Sequence, residues 1–585
     1  MKKNLFFAML AVTALTCCTT NDILDDETVT NPTSSTSSDS GSITTTTTSS
    51  TSDSSSDYVN ANPLTIDFSG EFIASSFTAA ATTTVTFSES GGATVDNAIS
   101  GDTYSVSGNY VIATLASSGT VLKLSGTASN GAILITSEKK FELNLSDLTL
   151  SNPGGAAINI QNGNCFVVVD GTNVLSDASS STYTDDYSST SKGVMHSEDK
   201  LRFSGSGTLT VTARNSAEKH ALSSDDWIMV NGPVITATAA SGAGHGIKVN
   251  DGIHVCSGNV TATAAGNGKK GVNSEAFVYV TGGTLAGSAS GGYVYDSSDA
   301  DYKAAAGISA DGYVSVTDGT LMGSCSGAGG KGINSNFIVN IKGGNVSATA
   351  TGSDTNSTID KAPKGLKCDG DLIVEGGSIT AKSSNHEGLE TKSTMTVTGG
   401  IVWSYSKDDA INSASTMTIS GGCVGGYSTS NDAIDSNGNL YISGGNVFAY
   451  SQASGAEVAI DANTEGGYKL YVQGGTLVAY PSLEKGSSLT QACYTGTLST
   501  GAWYSFNNSG TAYAFMVPRA GSWVVSSPAG NLYSVTKDGG TSIFGDYGSL
   551  DATVSTGTAV SLSAYSGGTG NSGGHGGPGG GPGGW

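Results

Sequence analysis

Seven carboxylates, Glu387, Glu390, Asp408, Asp409, Asp432, Asp435 and Asp461, fall at or beside matching positions of consecutive sequence repeats, with Asn412 and Asn431 among them. Stacked strands lie about 4.8 Å apart. At that spacing like carboxylates repel by roughly 3 kcal/mol at an effective dielectric near 20. A hard cation taking six to eight oxygen ligands would turn the repulsion into binding, so calcium is the expected cofactor. The competing arrangement is a solvated acidic edge whose charges point apart and are screened. At the same register, earlier repeats carry Lys192, His220, His245, Lys270, Lys331 and Lys364, with Lys248 and Lys367 three residues past their own repeat's member. Such a column could track a polyanion. It could equally be solvated or paired to acids, Lys364 with Glu387 one repeat away. A third column, Tyr405, Tyr427, Tyr450 and Tyr480, lies five residues past successive glycine pairs. Alternation sends it outward. There it would be a platform for sugar rings, or a stripe covered by the residues 485–565 that follow. Serines are abundant, but none sits in a nucleophile motif.

These columns exist only if the repeats stack. The clearest copies read DGDLIVEGGSIT (369–380), STMTVTGGIVW (393–403), STMTISGGCVG (415–425) and NGNLYISGGNV (437–447). Their second glycines, Gly377, Gly400, Gly422 and Gly445, are 23, 22 and 23 residues apart, and looser copies reach back through Gly344, Gly319, Gly283, Gly258 and Gly232 at spacings of 25 to 36. Each copy joins a short alternating strand to a glycine turn and cannot bury its apolar face alone. The expected fold is all-β: a right-handed parallel β-helix, or solenoid, over residues 119–480. Small β caps at 59–118 and 485–565 would cover its ends.

Lys2 and Lys3 precede the apolar run Leu5–Leu15 and then Cys17-Cys18. This reads as a lipoprotein signal peptide over 1–18, lipidated at Cys18, with Cys17 as the alternative. A Ser/Thr-rich tether (19–58) follows, and a Gly-rich tail (566–585) ends the chain. The expected location is therefore exported, at the outer membrane or cell surface through a lipid anchor. The other six cysteines form no CxxC or Cys/His spacing, which excludes a zinc site of that type. A net charge of −23 argues against nucleic acid as a partner. A monomer is expected.

The segments GNYVIATLASSGTVLKLSGTASNGAILI, LNLSDLTLSNPGGAAINI and VVVDGTNVL, with EGLE, DDAIN and NDAIDSNGNLYISGG, resemble a family of exported bacterial β-helix carbohydrate-binding proteins. That family is similar to family 9 polysaccharide (pectate) lyases. The resemblance covers about residues 100–480 and implies calcium-bridged binding of an acidic polysaccharide such as polygalacturonate or pectin. It places calcium positions at Asp408, Asp409, Asn431, Asp432 and Asp435. Lysines at 248, 331 and 364, where family rungs are often acidic, put further calcium sites in doubt. Non-catalytic binding is the favoured reading, with Tyr405, Tyr427, Tyr450, Tyr480, Lys331, Lys364 and Lys367 as sugar contacts. The alternatives are a calcium-dependent lyase, with Lys364 or Lys367 as the base, and a structural surface adhesin.

Overall fold

The repeat's short alternating segments become strands because each has the same segment of the next copy beside it. In the computed structural model, which describes residues 77–454 and 457–567, Met395–Val397, Met417–Ile419 and Leu440–Ile442 pair in parallel, Met395 with Met417 and Met417 with Leu440. Ile401–Ser406, Cys423–Ser428 and Asn446–Ser451 form a second parallel ladder. Leu389–Thr391, Ile411–Ser413 and Ile434–Ser436 form a third. Residues 79–585 form one compact unit, and all that follows concerns it. Its described residues are all-β, with a 30-stranded sheet carrying the first two ladders and a 14-stranded sheet carrying the third. The signal segment with Cys18, the tether, residues 59–76 and the tail beyond 567 lie outside the described residues.

Alternation sets the faces. Val402, Val424 and Val447 point inward with Met395, Met417, Leu389 and Ile411, and all are fully buried in one continuous apolar core. The glycine pair makes the corner between the first and second ladders. Gly400 has φ +73°, and a Cβ there would lie 2.6 Å from the carbonyl oxygen of Gly376 in the previous copy. Left-handed backbone and carbonyl contact together explain why every copy returns a glycine at this point.

The ends are antiparallel. Thr103–Ser107 and Tyr110–Leu115 form a hairpin at the N-terminal end, and Thr94–Asp96 pairs antiparallel with Ala81–Ser88. At the other end Gly521–Ser526 runs antiparallel to Thr476–Tyr480, the last strand of the second ladder. Beyond it lies a five-stranded antiparallel sheet built from strands between Trp503 and Ala559.

Candidate functional site

The third ladder carries the chemistry. Its apolar members Leu366, Leu389, Ile411 and Ile434 enter the core, so the residues after them face away from it. Register runs Lys248–Asn273–Ser309–Asn334–Lys367–Glu390–Asn412–Asp435, one residue per copy. Lys270, Ala306, Lys331 and Lys364 form the parallel column beside it. Glu387, Asp409 and Asp432 continue that column through backbone bonds from Gly365, Gly388 and Ala410. Both columns expected from the repeat alignment are thus physical neighbours. They line an open polar groove of about 1900 Å³ that extends from Lys270 to Asp461.

The acidic end divides into two environments. Lys364 Nζ lies 3.2 Å from Glu387 Oε2 and also contacts Glu390 Oε1, and Lys392 Nζ is 2.5 Å from that same oxygen. His386 Nδ1 contacts Glu387 and sits 3.4 Å from Asp408 Oδ2. The ligand atoms of His386, Glu387 and Asp408 lie within 4.8 Å of one another. Burial would push the Glu387 carboxyl up, but the His386 bond and Lys364 hold it at about 2. Burial opposes the charge on Lys364, yet Glu387 and Glu390 outweigh it and raise the ammonium's pKa. The Oε2 of Glu390 is buried without a hydrogen bond among the described residues.

Further along, Asp409 and Asp432 are 7% and 4% exposed, and amide donors hold them. Asn412 Nδ2 donates to Asp409 Oδ2 at 3.1 Å and to Asp435 Oδ2 at 2.9 Å. The Asp432 N–H donates to Asp409 Oδ1 at 3.1 Å, and the Val458 N–H to Asp432 Oδ1 at 2.6 Å. Asn431 Nδ2 reaches Asp408 Oδ1 at 2.8 Å. Burial, then Asp435, Asp432 and Asp408, push the Asp409 carboxyl well above its usual range. Burial and Asp435 do the same to Asp432. Asp461 is raised to about 9 by burial, Asp435 and Asp432. The predicted carboxylate set is therefore not uniform: Glu387 and Glu390 are neutralised by lysine, and the aspartates are crowded together.

Several expected contacts are corrected. Lys364 is clamped by two glutamates, and Lys367 is paired with Asp369, so neither presents a free amine as a base. Lys331 is different: its Nζ donates to the Gly329 carbonyl at 2.9 Å, and burial followed by Lys367 and Lys364 lowers its pKa to about 7. Lys192 and Lys248 pair with Asp225 and Glu275 at 2.5 Å. His220 and His245 stack at 5.1 Å, and each Nδ1 accepts a backbone N–H at 2.9 Å. Burial lowers His220 to about 3, so this part of the basic column is a neutral structural ladder. Tyr405, Tyr427, Tyr450 and Tyr480 do share one register. They are nonetheless no open platform, because Trp523 stacks on Tyr450 at 5.6 Å and Tyr547 lies over Tyr427 at 6.0 Å. Tyr450 is 3% exposed, and only Tyr405, at 40%, stays open. His386 was not singled out from the sequence. Its position directly before Glu387, whose register was visible, is the signal that could have found it.

A family model described as a carbohydrate-binding domain-containing protein matches residues 107–303 and 297–410. No curated protein matches. A solved structure described as that of the polysaccharide lyase-like protein from C. thermocellum, a gadolinium derivative, is similar at 16% identity. The match spans 57% of this chain and 94% of that chain with a TM-score of 0.22.

Proposed function

This chain belongs to the carbohydrate-binding domain-containing family, and we propose that its groove binds an acidic polysaccharide of the polygalacturonate type with the help of calcium, without cleaving it. The observation that carries the reading is the crowding of Asp409, Asp432 and Asp461 around Asp435: burial and these neighbouring carboxylates raise the first three, a penalty that a bound cation would relieve. The donor type fits a hard divalent ion, since all four are oxygen ligands. Asn412 Nδ2 bridges Asp409 and Asp435 and so orients them, and among the described residues the ligand atoms that already converge within 4.8 Å are those of His386, Glu387 and Asp408. Calcium bound there would supply positive charge able to attract uronate carboxylates. Asp409, Asp432, Asp435 and Asp461 would hold it, with Glu387 and Glu390 kept apart by Lys364. The reading takes the scaffold as a right-handed parallel β-helix on an exported lipoprotein, tethered at the outer membrane or cell surface. Retention of polygalacturonate in a pull-down with calcium, lost on chelation, is the expected result. Equal retention in both conditions, or none in either, overturns it.

One observation favours a second reading, a polysaccharide lyase. Lys331 lines the same groove, and its amine gives up a proton near neutrality. Such an amine could take the proton from the carbon beside a uronate carboxyl, the step that opens a β-elimination. The binding reading expects no unsaturated product from polygalacturonate at any alkaline pH. Steady product absorbance that disappears in Lys331→Ala would establish the lyase instead.

A further inference from the structure

One wall of the groove comes from outside the repeat. The spacing from Gly283 to Gly319 is the longest in the series, 36 residues. The surplus forms a separate antiparallel hairpin, Tyr293–Asp296 with Asp301–Ala304. Its base is closed by Ala305 N–H to the Gly292 carbonyl at 2.8 Å and seated on Gly268, where a Cβ would meet Val294 Cγ1 at 2.4 Å. Tyr295 lies opposite Tyr302, and residues directly opposite share a face of a two-stranded ribbon. Tyr293 and Tyr295, two apart on one strand, share it too. The Tyr302 ring meets Tyr293 edge-on at 5.7 Å and Tyr295 at 5.2 Å. Tyr302 lines the groove, and Tyr295 is 53% exposed. The nearby acids are already engaged: Lys303 holds Asp299 at 2.8 Å, Lys361 holds Asp301 at 3.2 Å, and Ser298 donates to Asp296. The wall therefore offers ring faces and phenol hydroxyls more than unpaired charge.

We propose that the Tyr293–Tyr295–Tyr302 face is a stacking subsite for a pyranose ring of the polysaccharide bound in this groove, a deepening that rests on the reading above. Aromatic rings with a hydroxyl at the edge suit the apolar face and peripheral hydroxyls of a sugar. The hairpin leaves the ladder just before Ala306, and Asp409 lies four copies further on, so the two are roughly 19 Å apart at about 4.8 Å per copy. Only a ligand several sugar units long can engage both. The groove then reads length: short oligomers bind at the acidic end alone, and long ones also gain the ring contact.

Titrations of the full chain with calcium, using digalacturonate and a long polygalacturonate fraction, test this. Tyr295→Ala combined with Tyr302→Ala should weaken the long ligand about tenfold, the size of one aromatic contact. Digalacturonate affinity and melting temperature should stay unchanged, and Tyr295→Phe with Tyr302→Phe should retain most of the long-ligand affinity. A parent that binds long polygalacturonate no more weakly after both alanine changes overturns the subsite and leaves the calcium reading standing. Equal losses for both ligands also overturn it, because they indicate a general disturbance of the groove. A parent that binds neither ligand overturns the underlying reading and the subsite with it.

Discussion

At the scale of single residues, the aspartates of the acidic end tie stability to pH in a direction unusual for carboxylates. An unfolded aspartate titrates at about 3.9. In the fold Asp461 is raised to about 9, and Asp409 and Asp432 are also raised, so the folded chain holds protons that the unfolded one releases. Their contribution is complete below the unfolded value and is lost as pH climbs through the folded one. With calcium chelated, the melting temperature should fall between about pH 4 and about pH 9. Added calcium should remove most of that fall, since a ligand bound only to the native state stabilises it. Differential scanning at several pH values, with and without chelator, reads both effects, and a flat profile in chelator would refute the crowding. Asp409→Asn with Asp432→Asn should raise the chelated protein's melting temperature at pH 8 and abolish the response to calcium. Glu387 is the opposite case: His386 and Lys364 hold it at about 2, so its contribution is present above the unfolded value and lost only as pH falls. Lys364→Met removes the buried cation shared by Glu387 and Glu390, leaving only His386 and Lys392 to offset them, and should cost about 3 kcal/mol in denaturant titrations.

Among the elements, what could be read from the sequence was whatever the repeat itself determines. Stacking makes each residue's neighbour its own counterpart one copy away, so aligning glycine pairs gave the Glu390–Asn412–Asp435 column and the tyrosine register directly. The glycine corner is legible for the same reason. Gly422→Ala would force a Cβ within 2.6 Å of the Gly400 carbonyl oxygen at φ +69°, and should cost about 1–3 kcal/mol. What lay beyond reach were contacts made by segments without a period. Trp523 meets Tyr450 from a strand that obeys no repeat, and no alignment of copies could place it. The hairpin over 293–304 was visible only as an overlong spacing, and Lys364 could be paired with Glu387 by register but not with Glu390 at the same time. With Trp523 above it, Tyr450 is a core residue. Tyr450→Ala should therefore destabilise the chain by about 3–5 kcal/mol and leave polysaccharide retention intact, which separate melting and pull-down measurements would show.

For the molecule as a whole, a stack of similar copies has ends that each offer an unpaired strand to any similar edge. The C-terminal segment answers this at the last copy, where Val524–Ser526 pairs antiparallel with Leu477–Ala479. The same segment covers a side of the stack. Trp523, Phe544 and Tyr547 close over Trp403, Tyr427, Phe448 and Tyr450 to make a second apolar cluster apart from the main core. A chain ending at Gln491 would lose the strand and the lid together and uncover an edge and an aromatic stripe side by side. Contiguous apolar patches of this kind drive association. The shortened chain should be oligomeric or aggregated by light scattering, increasingly so with concentration, where the parent stays a single small species. Placing Lys at Phe448 and Tyr450 in the shortened chain should reverse the association by charging the exposed stripe. Its groove residues, from Lys270 through Asp461, all lie before the cut. Whatever fraction remains dispersed should still retain polygalacturonate with calcium, and a shortened chain that is monodisperse without the added lysines would show that the C-terminal segment does not protect the stack.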